Sequence, residues 1–232
     1  PAHITALTVD QAEALTPGQI LVMTSKQIAA LGEDDIAKFS TDDIAAITNR
    51  AIPGLTTAAL EALSAAQVGA LNASAIAALK TNQLVVIDTD FIAALSPAQI
   101  SALSTTAIAR LTTAQIDIMT TAQVEALSPA QIRVMTSEQV SILDKDDLAT
   151  FSTLDISALT AAAISGLSPE AFASLSPTQL ANLSGGAITG LTSDQVAALS
   201  TAQIDSLTIS QIKAMTAAQT AGRAAQTLPA PG

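Results

Sequence analysis

The sequence predicts an all-α fold: a superhelical solenoid of short two-turn helices, one per eight residues. Three observations predict it. Every eighth residue from Leu7 to Met215 is large and apolar. A second apolar series with the same period runs from Ile4 to Ile212, and only Ala12 in it is small. A third series, starting at Thr8, is almost all Ser, Thr, Asn or Asp, with Gly32 and Lys80 as exceptions. A fixed short period of this kind is the mark of a solenoid, in which each unit packs only on its neighbours.

Taken in order, each octad position has a helical reason. Its first residue is Ser or Thr, whose hydroxyl accepts a backbone N–H as an N-cap. Pro follows the cap directly at Pro17, Pro97, Pro129, Pro169 and Pro177, the first helical position, where a missing N–H costs nothing. Gln stands three residues after the cap and can reach back to the cap's own N–H, closing a capping box. The Leu before each cap and the Ile four residues after it are the two ends of a hydrophobic staple. Ser128 to Met135, reading SPAQIRVM, is a clear copy.

A continuous helix is excluded. At roughly 100° per residue, eight residues leave the apolar stripe about 80° out of phase, so it would wind around the rod. Nor is the period the seven or eleven of a coiled coil. The chain therefore breaks at every cap, into helices of about seven residues, each roughly 10 Å long. In a β-solenoid, Ile and Leu three residues apart would point to opposite faces, and Ala and Gln are poor strand formers. Ile and Leu are expected inside, and octad positions one, two and six outside. One octad cannot stand alone, because burying one Ile and one Leu falls short of the cost of ordering eight residues.

The Gln position carries a longer repeat. From Gln11 to Ala107 it reads Gln, Gln, Gln, Asp35, Asp43, Ala51, Ala59, Gln67, Ala75, Gln83, Phe91, Gln99, Ala107. From Gln123 to Gln219 the same series returns, with Asp147 and Asp155 in the aspartate places, and matches at 11 of 13 positions. The offset is 123 − 11 = 112 residues, or 14 octads. The expected organisation is a first unit over 1–112, a second over 113–223 and an extended tail over 224–232. The octad from Thr216 is degraded, with Thr220 and Arg223 in place of the apolar pair, and reads as a frayed end. Pro1 is already in phase, so the chain is expected to have been cut from a longer one.

Composition narrows function. The 232 residues are 49% hydrophobic but only 2% aromatic, and the net charge is −11. That charge argues against nucleic acid, whose phosphates need clustered Lys and Arg, and against an anionic membrane surface. Without cysteine there is no disulfide and no thiolate metal site. No apolar stretch is long enough to span a bilayer, and no segment reads as a signal peptide.

Candidate chemistry is sparse, and each candidate has a plainer alternative. Glu33, Asp34, Asp35, Asp42 and Asp43, with Asp144, Asp146, Asp147 and Asp155, could bring carboxylates across a corner to hold Ca²⁺. The calcium candidates are Asp34, Asp35, Asp43, Asp146, Asp147 and Asp155. The simpler reading is that acids in a first helical turn cap it and oppose its dipole. No D-x-[DN]-x-[DN]-G loop is present. His3, the only histidine, sits in an incomplete first octad and reads as a terminal side chain. With no Cys and the Ser and Thr residues used as caps, a catalytic triad has nothing to stand on. Phe91 in the Gln position and Pro53 inside a helix mark either tolerated defects or ligand-facing octads. The regular hydroxyls suggest an ice-binding face, but capping already engages them.

Residues Leu111 to Ile116 read LTTAQI and Met119 to Val124 read MTTAQV. These octads resemble the ALTTAQI-type arrays of very large bacterial secreted proteins, described as adhesin-like, RTX-type or haem-utilisation/adhesion exoproteins. The resemblance covers Ile4 to about Gln219. It implies export and a location outside the cell or on the bacterial surface, and it carries over no catalytic residues. The calcium-binding G-G-x-G-x-D-x-U-x nonapeptide is absent. The expected role is non-enzymatic, a stalk, spacer or display rod. The alternatives are a filament subunit stacking head-to-tail and a solenoid that binds a peptide or glycan. Expected partners are neighbouring repeats of the same or an identical chain, with a surface glycan or protein as a further candidate. No cofactor is expected beyond the calcium just weighed.

Overall fold

The computed structural model of the chain describes residues 3–84 and 87–221. The expected tail over 224–232 lies outside the described residues. Two units, Pro1–Ala126 and Leu127–Gly232, are each internally packed. In both, among the described residues, the chain is a succession of short helices with no strand.

The helices follow the octad. Each begins at the residue after the cap, as in Pro97–Ala102, Thr113–Asp117 and Ser193–Ala198. They are shorter than the seven residues expected, running from four in Pro129–Ile132 to six in Thr41–Ala46. The corner accounts for the difference. Ser96, a cap, has φ −69° and ψ 158°, and Leu95 before it has φ −68° and ψ 134°. The cap, often with the preceding Leu, is thus extended in order to turn the chain. The apolar residue ending each octad still closes the last turn, as in Met135 N–H to the Ile132 carbonyl at 3.1 Å. None of the described residues has a positive φ. These corners do without the left-handed glycine that ends many helices, which is why Ser, Thr, Asn, Asp or Lys can occupy them.

Both apolar series are buried from Ile20 to Leu199, as the period required, and most charged side chains lie at exposed positions. Helices three octads apart pack together. In the first unit Pro17–Leu21 lies on Thr41–Ala46; in the second, Ala161–Ile164 lies on Gly185–Gly190 and Pro169–Ala173 on Ser193–Ala198.

Three glycines mark the closest approaches. A Cβ on Gly54 would collide with the Ser25 carbonyl oxygen and stand 2.7 Å from its carbon. Gly166 stands in the same relation to Ser137, and Gly190 to Ala161. Each lies in an octad whose Gln position is Ala (Ala51, Ala163, Ala187). Where the long amide is missing, the backbones close up.

Two irregular octads are accommodated locally. Pro53 sits in a 3-10 turn, Ile52–Gly54, rather than in an α-helix, so its missing N–H leaves no helical bond unmade. Lys80, one of the two exceptions among the caps, sends its Nζ to the Pro53 carbonyl at 3.1 Å, while its own N–H is capped by Gln83 at 2.7 Å.

Candidate functional site

The recurring polar cluster is the capping box together with the Gln that closes it. In the octad from Thr192, the Thr hydroxyl accepts the Gln195 N–H at 3.1 Å and Gln195 Oε1 accepts the Thr192 N–H at 2.9 Å. This much was legible in the sequence. The other end of the amide was not. Gln195 Nε2 donates to the carbonyls of Ile164 and Leu167, both at 2.8 Å. These residues lie 31 and 28 positions earlier, one turn down the same unit.

The pattern recurs with the same two offsets. In the first unit Gln83 donates to Ile52 and Leu55, Gln99 to Val68 and Leu71, Gln115 to Leu84 and Ile87, and Gln123 to Ile92 and Leu95. In the second unit Gln179, Gln211 and Gln219 do the same. The donors are nearly fully buried. The Ile-position carbonyl already accepts one bond within its own octad and the Leu-position carbonyl waits at the corner; both would otherwise lose hydration uncompensated. The amide ladder therefore satisfies the corners of one turn from the helix starts of the next. Gln219 belongs to it, so the octad from Thr216 is not frayed at that point.

Four of the six calcium candidates fall into caps. Asp35 Oδ2 accepts the Gly32 N–H at 3.0 Å, Asp43 Oδ2 the Ser40 N–H at 3.0 Å, and Asp155 Oδ2 the Ser152 N–H at 2.9 Å. Asp147 accepts from Asp144 N–H at 3.4 Å. Asp34 and Asp146 are exposed. Among the described residues, no three His, Cys, Asp or Glu side chains form a group able to hold a metal ion. Asp43 Oδ1 is buried without a hydrogen-bond partner, because Asp, one methylene shorter than Gln and with no donor, supplies only the capping half of the slot. His3 is exposed.

Glu138 is an acid whose titration is displaced. A backbone N–H first, then the hydroxyls of Thr136 and Ser137, hold it below the usual 4.5. A depressed folded-state value means that its stabilising contribution is present above 4.5 and fades as pH falls through the folded value. A carboxyl-carbon NMR titration should place its midpoint under 4.5; a value at or above that would contradict these bonds.

Phe91 is buried in the Gln position, where it leaves the ladder without a donor. Beside it lies an open groove of about 520 Å³, lined in part by Leu60, Leu63, Val68, Glu61, Asp88 and Asp90. Neither Pro53 nor any calcium candidate borders it, so the irregular octads are not gathered there. No described helix is long and apolar enough to cross a membrane.

The ALTTAQ repeat matches residues 36–73, 73–105, 92–129 and 119–153, together half of the chain. The chain belongs to the ALTTAQ repeat family. Two of these matches take in a ladder donor with carbonyls it reaches, Gln67 with Phe39 in 36–73 and Gln123 with Ile92 and Leu95 in 92–129. Curated proteins offer no match to the chain.

Proposed function

We propose that this ALTTAQ repeat protein is a non-enzymatic structural segment, a stalk, spacer or display rod, of a large bacterial secreted or cell-surface protein of the adhesin-like kind. The observation that supports this reading is the constant offset of the ladder. Most added octads bring their own cap and apolar pair, and those with Gln in the fourth position also bring a bond to the turn before, so length can grow without redesign of a core. A spacer needs that property, whereas an enzyme needs one exceptional site. Light scattering with a measured hydrodynamic radius tests the proposal. The expected radius exceeds that of a compact globule of 23.3 kDa; a compact value would remove the spacer reading.

A further inference from the structure

We propose that the groove beside Phe91 in the first unit holds an arginine side chain presented by a partner peptide. The inference goes beyond the spacer reading and does not depend on it. Phe91 stands where the ladder has an amide, and its ring offers no N–H. By the constant offsets its acceptors would be Leu60 and Leu63, and both line the groove. The Leu60 carbonyl keeps the Leu63 N–H at 3.3 Å. The Leu63 carbonyl accepts no hydrogen bond among the described residues. Leu63 is 9% exposed, against 3% for Leu55 and 2% for Leu71, whose carbonyls receive Gln83 and Gln99 at 2.7 Å each. At the matching place in the second unit Gln203 donates to the Leu175 carbonyl at 2.8 Å. The open acceptor is therefore peculiar to the octad of Phe91.

Charge selects the ligand. Glu61 ends the helix Thr57–Glu61, Asp88 caps the helix Thr89–Ala94 and Asp90 lies in its first turn; all three border the groove. One Asp88 oxygen is engaged by the Phe91 N–H at 3.0 Å. Glu61 and Asp90 are exposed, and among the described residues no Lys, Arg or His lines the groove. The three carboxylates do not converge closely enough to hold a bare metal ion. A guanidinium suits spread acceptors better. Its five N–H donors form a planar fork that bridges carboxylates and a carbonyl, and it carries no acceptor of its own to satisfy. Its methylenes can lie along the apolar wall that Val68 helps to form. The volume of about 520 Å³ is ample for one such side chain. The groove is open, so the backbone that bears the arginine stays outside.

Fluorescence anisotropy of a short labelled peptide with one arginine, titrated with the full chain, tests this. Binding should saturate and weaken as salt rises. The same peptide with neutral citrulline in place of arginine should bind at least about tenfold more weakly. Glu61→Gln with Asp90→Asn should weaken the arginine peptide at least about tenfold by removing both charges. Phe91→Gln should weaken it too, because the new amide supplies the Leu63 carbonyl from within. A reference variant, Asp117→Asn with Glu125→Gln, removes the same charge at exposed positions away from the groove and should bind like the parent. No binding by the parent, equal affinity for the citrulline peptide, or equal loss in the reference variant would overturn the proposal. So would self-association of the chain alone that Glu61→Gln with Asp90→Asn abolishes, which would seat a second copy there instead. Unchanged helical content by circular dichroism excludes unfolding as the cause of any loss.

Discussion

Gln195→Glu is expected to destabilise the second unit by about 3–5 kcal/mol at neutral pH, the size typical of stranding a buried charge. Gln195 has no exposed surface. Glutamate would preserve the capping acceptor towards Thr192, because a capping box takes Glu or Gln equally well. It would replace the Nε2 donor, 2.8 Å from two carbonyls, by an oxygen carrying negative charge. Gln195→Ala should cost less, about 2 kcal/mol, since it leaves two carbonyls and the Thr192 N–H unpaired but strands no charge, and Ala stands in the same slot at Ala163, Ala171 and Ala187. Acid separates the two variants. Burial raises the introduced carboxyl's folded-state value above its unfolded one, so the folded chain takes up the proton more readily. The glutamate deficit is therefore full above the folded value and shrinks as pH falls, while the alanine deficit stays constant. Urea midpoints at pH 7 and pH 4 measure both. A glutamate deficit no larger than the alanine one at pH 7, and unchanged at pH 4, would show that the inter-turn donor carries no weight.

Gly166→Ala should destabilise by about 1–3 kcal/mol, the range for forcing a methyl into filled space, although alanine is the better helix former by roughly 1 kcal/mol. The methyl would meet the backbone of Ser137, 29 residues earlier, with the carbonyl carbon at 2.7 Å. Backbone cannot rotate aside as a side chain can, so the two turns must separate. Gly69→Ala is the matched opposite. It lies in the helix Ala65–Ala70 with nothing within 4 Å of an added Cβ, and should stabilise by up to about 1 kcal/mol. Thermal melts of the two variants should therefore move in opposite directions. A stabilised Gly166→Ala would mean that the turns are looser than the structure places them.

The Gln and Gly results rest on features that the sequence exposes unequally. Caps, staples and the burial of Ile and Leu follow from contacts within eight residues, and each was readable from one octad. The ladder had a sequence signal that capping logic alone does not explain. The Gln position holds Gln, Asp, Ala and Phe but never Glu, although a capping box accepts Glu. A role for the amide nitrogen at the longer side chain's reach favours Gln over Glu there. The close approaches at Gly54, Gly166 and Gly190 had a fainter one, Gly two residues after the Ile in an octad with Ala in the Gln slot. From sequence, Asp43 and Asp155 admit a calcium reading, with capping as the simpler one. The structure places them in capping boxes with Ser40 and Ser152.

By itself, then, the sequence determined the period, the helix starts, the all-α class and the two buried series, because all of these are decided by bonds and periodicity inside one octad. The tertiary structure alone decided how far the chain travels before it meets itself. The answer, 28 residues to the nearer carbonyl, is three and a half octads, and the 112-residue spacing of the Gln pattern is four such steps. That distance depends on the sum of many corner angles and on where a buried amide finds an acceptor in the turn below. Neither is a property of any single octad.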